Sequence, residues 1–168
     1  MKFRSLFLVI LTLSGVFFHS ISAGAQDIKF ESLGNQFTAF YEQADPFDSS
    51  KKNFLFFYKG DFVFKCQQIS FGKRSTYDYD GFSFNADIAL KIDDNEPFEG
   101  RGKYSTYQFG SDMVNDARMY SARITSDVVQ QLKAGNTLQA SGRFGGGGWS
   151  PFKVSLKGFT HAYNKVCN

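Results

Sequence analysis

The sequence predicts a mainly β fold: an antiparallel β-sandwich or small barrel of about seven or eight strands, with one short internal helix and one C-terminal helix. Three observations point there. Apolar residues recur at period two in several short runs. Glycine, asparagine and aspartate interrupt those runs at close intervals, as turn residues do. The chain also holds 21 Phe and 8 Tyr, side chains that pack well on pleated surfaces.

Taken in order, residues 1–25 read as a signal peptide. Lys2 and Arg4 form a short basic start, an apolar run follows from Leu6 to Phe18, and Ala23-Gly24-Ala25 suits cleavage. The apolar run is short for a membrane span. No cysteine lies near the cleavage point to carry a lipid. The expected mature chain is a single domain over residues 26–168, with no membrane span, long enough to bury a core. Its formal charge drops from +3 to +1 once Lys2 and Arg4 are removed. So near-neutral a domain has no general attraction for nucleic acid or anionic lipid. Lys51-Lys52 and Lys73-Arg74 read as solvated loop residues.

Residues 26–52 are mixed and polar, and "ADPFDSSKK" (44–52) reads as a loop. The aromatic runs 53–60 and 61–71 read as two strands joined at Gly60-Asp61. Residues 74–85 read as strand and turn. In "ADIALKIDD" (86–94), Ala86, Ile88, Leu90 and Ile92 share one face and Asp87, Lys91 and Asp93 the other, the pattern of a half-buried strand. Further strands are expected over 102–109, 118–125, 137–144 and 152–159. Between them, 126–136 reads as a short helix capped by Ser126 or Asp127, with Val128, Val129 and Leu132 on one side and Gly135 as its stop. Phe159, Tyr163, Val166 and Cys167 follow helical spacing and predict a terminal helix with Cys167 facing the core.

Cys66 and Cys167 are the only cysteines. An even pair in an exported chain reads as a disulfide, and the absence of CxxC argues against a redox catalyst.

Motifs for chemistry are few. "GGGGWS" (145–150) lacks the Lys-Ser/Thr of a phosphate loop and precedes a strand rather than a helix, so it reads as a hairpin loop. Its aromatic neighbours Phe144, Trp149 and Phe152 are the candidate partner-binding residues, since aromatic anchors dominate many interfaces. His161 is the sole histidine after residue 25, and no serine sits in GxSxG, so no catalytic residue is assigned. One histidine and two bridged cysteines cannot hold zinc. Asp78 and Asp80, and Asp93, Asp94 and Glu96, miss the calcium-loop spacing and read as turn residues. No metal or cofactor is expected.

The ordered segments "ADPFDSSKKNFLFF", "FVFKC", "ALKIDDNEP", "QLKAGNTLQAS" and "FKVSLKGFTHAYNKVC" resemble a diffuse group of small exported bacterial proteins. The group includes type VI secretion-associated accessory proteins and is similar to the invasion-associated locus B family. The resemblance spans residues 44–167. It implies export and the Cys66–Cys167 bridge; it does not imply an active site. The expected function is a non-enzymatic, periplasmic or secreted binding or accessory protein of the bacterial cell envelope, linked to secretion or host interaction, with another protein or envelope component as partner. The alternatives are a periplasmic inhibitor of a hydrolase such as a cell-wall lysin, and a hydrolase working through a carboxylate pair.

Overall fold

A computed structural model of the protein describes residues 28–45, 47–73, 82–107 and 117–168. The signal-peptide reading, Asp78 and Asp80, most of the 74–85 strand and the end of the 102–109 strand lie outside these residues.

The fold is mainly β. Ten strands form one antiparallel sheet: β1 (Ile28–Gly34), β2 (Phe37–Gln43), β3 (Lys52–Lys59), β4 (Phe62–Lys65), β5 (Gln68–Phe71), β6 (Ser83–Ile92), β7 (Phe98–Tyr107), β8 (Ala117–Arg123), β9 (Thr137–Phe144) and β10 (Ser150–Ser155). Two helices, α1 (Ser126–Ala134) and α2 (Phe159–Cys167), complete it. The strand order is β1-β2-β3-β4-β5-β8-β7-β6-β9-β10, so β1 and β10 are both edges. The sheet is not a closed barrel.

The count of seven or eight strands is corrected to ten among the described residues: two segments add three strands, and residues 83–85, read apart from 86–94, continue into the one strand β6. Residues 28–43, read as mixed and polar, form the β1–β2 hairpin. Its turn runs through Gly34, Asn35 and Gln36, all at positive φ. The single strand expected over 61–71 is two. Cys66 and Gln67 form a two-residue turn between Lys65 and Gln68, with Cys66 at φ 40°. That left-handed backbone favours glycine or asparagine, and a cysteine there is uncommon.

The strand expected over 152–159 ends at Ser155, and Phe159 opens α2 instead; several other expectations hold. Gly60, at φ 56°, turns β3 into β4. In β6, Ala86, Ile88, Leu90 and Ile92 are buried, while Asp87 and Lys91 face the other side. Helix α1 buries Val128, Val129 and Leu132 and ends at Gly135. Its cap is corrected to Thr125, whose hydroxyl accepts from the Val128 N–H at 3.4 Å. The residue before the expected caps is the one with extended backbone, which a cap requires.

One core holds the sheet together, and the sheet must coil to make it. The Phe71 ring of β5 lies 5.4 Å from Phe152 of β10, five places away in the strand order. In a flat sheet those strands would stand about 24 Å apart, at about 4.8 Å per strand. The coil is tight at Gly142 of β9, where an added Cβ would meet the Tyr120 ring of β8 at 2.2 Å. Only glycine leaves room for that ring.

Helix α2 plugs the coil from one end. Phe159 is 1% exposed and contacts Phe37, Phe57 and Phe64 at centroid distances of 6.2, 5.5 and 5.0 Å. Phe57 and Phe64 stack at 5.2 Å beneath it. Burying such rings contributes about 2 to 3 kcal/mol each by area alone. Tyr163 and Val166 pack at the margin, as the helical spacing predicts. Thr160 donates its hydroxyl to the Lys133 carbonyl at 2.8 Å, joining α2 to α1.

Cys167, in the last turn of α2, is bonded to Cys66 in the β4–β5 turn, with Cα atoms 5.4 Å apart and a sequence separation of 101. The bridge is compatible with an oxidising extracellular or periplasmic compartment. No helix among the described residues is long and apolar enough to cross a membrane.

Closing so long a loop stabilises the fold by about 4 to 5 kcal/mol in the chain-entropy view. Cys167→Ser is therefore expected to lower the unfolding free energy by about that amount in denaturant titrations. A loss below about 1 kcal/mol would contradict the assigned role of the bridge.

Candidate functional site

Strand alternation gives the coiled sheet two faces of different chemistry. The inner face carries Phe71, Ile88, Leu90, Leu138 and Ala140 and builds the core. The outer face of β5 to β9 carries mostly charged and polar groups. In β7 the segment Gly100-Arg101-Gly102-Lys103 puts small residues inward and cations outward.

These strands form a cleft of about 450 Å³ on the outer face, lined by Gln68, Asn85, Arg101, Gly102, Lys103, Ser121, Ala122 and Arg123. The sheet order brings the residues together. Lys103 pairs across to Asn85 on one side and Ser121 on the other, and Gln68 pairs with Arg123. Lys103 Nζ donates to Asn85 Oδ1 at 2.8 Å. The cleft thus has three cations and three neutral polar side chains. Among the described residues, no carboxylate, imidazole or thiol lines it.

A chain of contacts links the cleft to the glycine hairpin. Asp87 pairs across with Arg101 on β7 and Arg143 on β9. Its carboxylate accepts from Arg143 Nη2 at 2.9 Å and lies 3.6 Å from Arg101 Nε. The Arg143 guanidinium in turn sits 4.9 Å from the Trp149 ring. Such exposed ion pairs and cation–π contacts are individually worth about 1 kcal/mol or less. Their effect here is to fix orientation: Asp87 holds Arg143, and Arg143 braces an indole that is 45% exposed.

The hairpin reading of 145–149 holds, since β9 and β10 pair directly across it from Ser150 and Gly142 onward. The three candidate aromatic residues do not form one patch. Trp149 lies with Arg143 on the outer side. Phe144 shares the inner face with Tyr104, stacked at 4.3 Å, and with Phe84 at 6.1 Å. Phe152 is half-buried against Phe71 and serves the core.

The remaining sequence candidates have structural partners or sit apart. His161 is exposed on α2. The Asp93 carboxylate accepts from the Asn136 and Thr137 N–H groups at 2.9 and 2.8 Å, tying the end of β6 to the start of β9. Asp94 and Glu96 are exposed in the turn that follows. Among the described residues, no three of His, Cys, Asp and Glu gather as a metal site would need. Lys51 pairs with Asp45 and Asp48 in its loop. Lys52 is not a loop residue but opens β3, where it pairs with Glu31 and, through that hydrogen bond, holds the Glu31 carboxyl below its ordinary range. Lys59 is buried, donates to the Lys157 carbonyl at 3.4 Å and lies 4.8 Å from the Phe37 ring. Burial, and then the nearby Lys157 charge, hold its pKa below the usual lysine value.

Sequence reading missed Arg101, Lys103, Arg123, Gln68, Asn85 and Ser121. The period-two placement of Arg101 and Lys103 was a visible signal for a cationic strand face. Their meeting with Arg123 and Gln68 depends on strand order.

Trp149 is the only tryptophan, so its fluorescence reports the bracing contact directly. Arg143→Ala is expected to uncover the indole and increase acrylamide quenching, with the thermal midpoint little changed. Equal quenching in the two proteins would mean that Arg143 does not hold Trp149.

Compared with known proteins, the chain matches no family model, and neither a curated sequence nor a solved structure is significantly similar to it.

Proposed function

We propose that this chain is an exported, non-enzymatic binding protein of the bacterial cell envelope that takes its partner on the outer face of the sheet. The observation that carries this reading is the continuous path from the exposed Trp149 ring, through Arg143, Asp87 and Arg101, into the cation-lined cleft. An aromatic anchor beside charged and amide groups is what protein and envelope partners use for contact. The lining of the cleft supports binding over turnover, because among the described residues it places no carboxylate or imidazole beside its Ser121 hydroxyl and Lys103 ammonium. The disulfide suits export, and the segment order supports placing the chain beside the type VI secretion-associated accessory proteins and the invasion-associated locus B family. The coiled sheet, with helix α2 as its plug, acts as a sandwich-like scaffold for that face.

A second reading rests on the hairpin tip itself. Four exposed glycines and Trp149 form a projection that suits insertion into the cleft of a hydrolase, as an inhibitor loop would. Inhibition of cell-wall lysins in periplasmic extract distinguishes it.

Trp149→Ala is expected to leave the melting profile unchanged and weaken crosslinked capture of the envelope partner by about tenfold, the effect of losing about 1.4 kcal/mol of interface energy. Equal capture by the variant would remove Trp149 from the binding face.

A further inference from the structure

We propose that the outer-face cleft is a site for a phosphate group carried on the partner or ligand; this rests on the reading that the outer face is the binding face. The argument begins with two neighbouring rungs of the same ladder. On one rung, Asp87 stands between Arg101 and Arg143 and supplies a carboxylate to both. On the next rung along β6 the equivalent position is Asn85, a neutral amide, opposite Lys103. Where the first rung sets one carboxylate against its two guanidinium groups, the second gives Lys103 no carboxylate among the described residues. Arg123, on the far wall, has no carboxylate partner among the described residues.

The cleft is therefore short of negative charge. Among the described residues three cations line it and no anion does. Its neutral groups are also set to donate. Asn85 Oδ1 accepts from Lys103, which leaves the Asn85 amide N–H groups to point elsewhere. Ser121, 7% exposed, lies at the floor with a hydroxyl able to donate. Two guanidinium forks, one ammonium, one amide and one hydroxyl exceed what a single carboxylate can accept through two oxygens. A phosphate ester has three terminal oxygens and a charge of about −1.5 to −2 at neutral pH. Arginine forks match that geometry through paired hydrogen bonds. The lining also argues against a neutral sugar, which stacks on an aromatic ring: among the described residues none floors the cleft. The volume of about 450 Å³ suits a compact headgroup.

The test uses the full disulfide-intact protein and isothermal titration with inorganic pyrophosphate at fixed ionic strength. Saturable 1:1 binding is expected, weakened at least tenfold by Arg123→Gln and by Lys103→Gln, with thermal melts confirming that both variants fold. Absence of saturable binding, or equal binding by both variants, overturns the proposal. Tighter binding of tricarballylate than of pyrophosphate overturns it in favour of a carboxylate ligand. A second arm uses phosphatidylcholine vesicles with and without phosphatidic acid. Co-sedimentation that needs both phosphatidic acid and Arg123 supports a lipid headgroup as the source. Pyrophosphate binding without co-sedimentation supports a soluble or glycan-borne phosphate. The broader reading fails separately: pyrophosphate binding together with partner capture that Trp149→Ala, Lys103→Gln and Arg123→Gln all leave intact keeps the phosphate site and discards the binding face. Capture lost in Trp149→Ala with no pyrophosphate binding does the reverse.

Discussion

The structure depends on a clamp: the Cys66–Cys167 bond fixes the end of α2 to the β4–β5 turn while Phe159, at its start, fills the aromatic nest of Phe37, Phe57 and Phe64. Ten strands in an open sheet with two free edges have no hydrogen-bonded closure to hold them coiled. The helix supplies that restraint. One end is held by burial of a large ring and the other by a covalent bond, so the helix cannot lift away without losing both. Cys66 occupies a turn position with left-handed backbone, which an L-residue adopts at a cost. The bond retains it there.

Coiling divides the labour between the two faces. The inner face spends its side chains on the core: Phe71 reaches Phe152, and Tyr120 lies against Gly142. The outer face of β5 to β9 has few such duties. A smaller apolar cluster of Phe40, Phe56, Val63 and Met119 covers the neighbouring part of that face, and beyond it the ladder is polar. Arg101, Lys103 and Arg123 therefore project from a rigid floor without being needed to hold it up. A binding site on paired strands keeps its geometry better than one on a loop. The glycine hairpin adds an adjustable rim, with Trp149 braced by Arg143 from the strand below.

The elements legible in the sequence were those whose pattern is local. In β6 the alternation of Ala86 to Ile92 needs no knowledge of partners, and in α2 the spacing of Phe159, Tyr163 and Cys167 defines its buried side. The β4–β5 turn was hidden because both halves are apolar and aromatic. Its trace is a change of phase: Phe62 and Phe64 face inward at even positions, Ile69 and Phe71 at odd ones, as a two-residue turn requires. Strand β1 was hidden for another reason. It is an edge strand with Phe30 67% exposed, so its composition carries no clean buried side. The cleft was out of reach because its walls come from β5, β6, β7 and β8, and β5 meets β8 only through the sheet order. Trp149 stands out in the sequence as the single tryptophan beside glycines. Its separation from Phe144 and Phe152 onto the opposite face depends on the hairpin register.

The direct test of the clamp is amide hydrogen exchange by mass spectrometry on the oxidised and the reduced protein. If α2 holds the coil, reduction speeds exchange in α2 and in β3, β4 and β5 together, because the Phe57–Phe64–Phe159 nest opens as one unit. Faster exchange confined to the last turn of α2, with β3 to β5 as protected as before, would contradict the account.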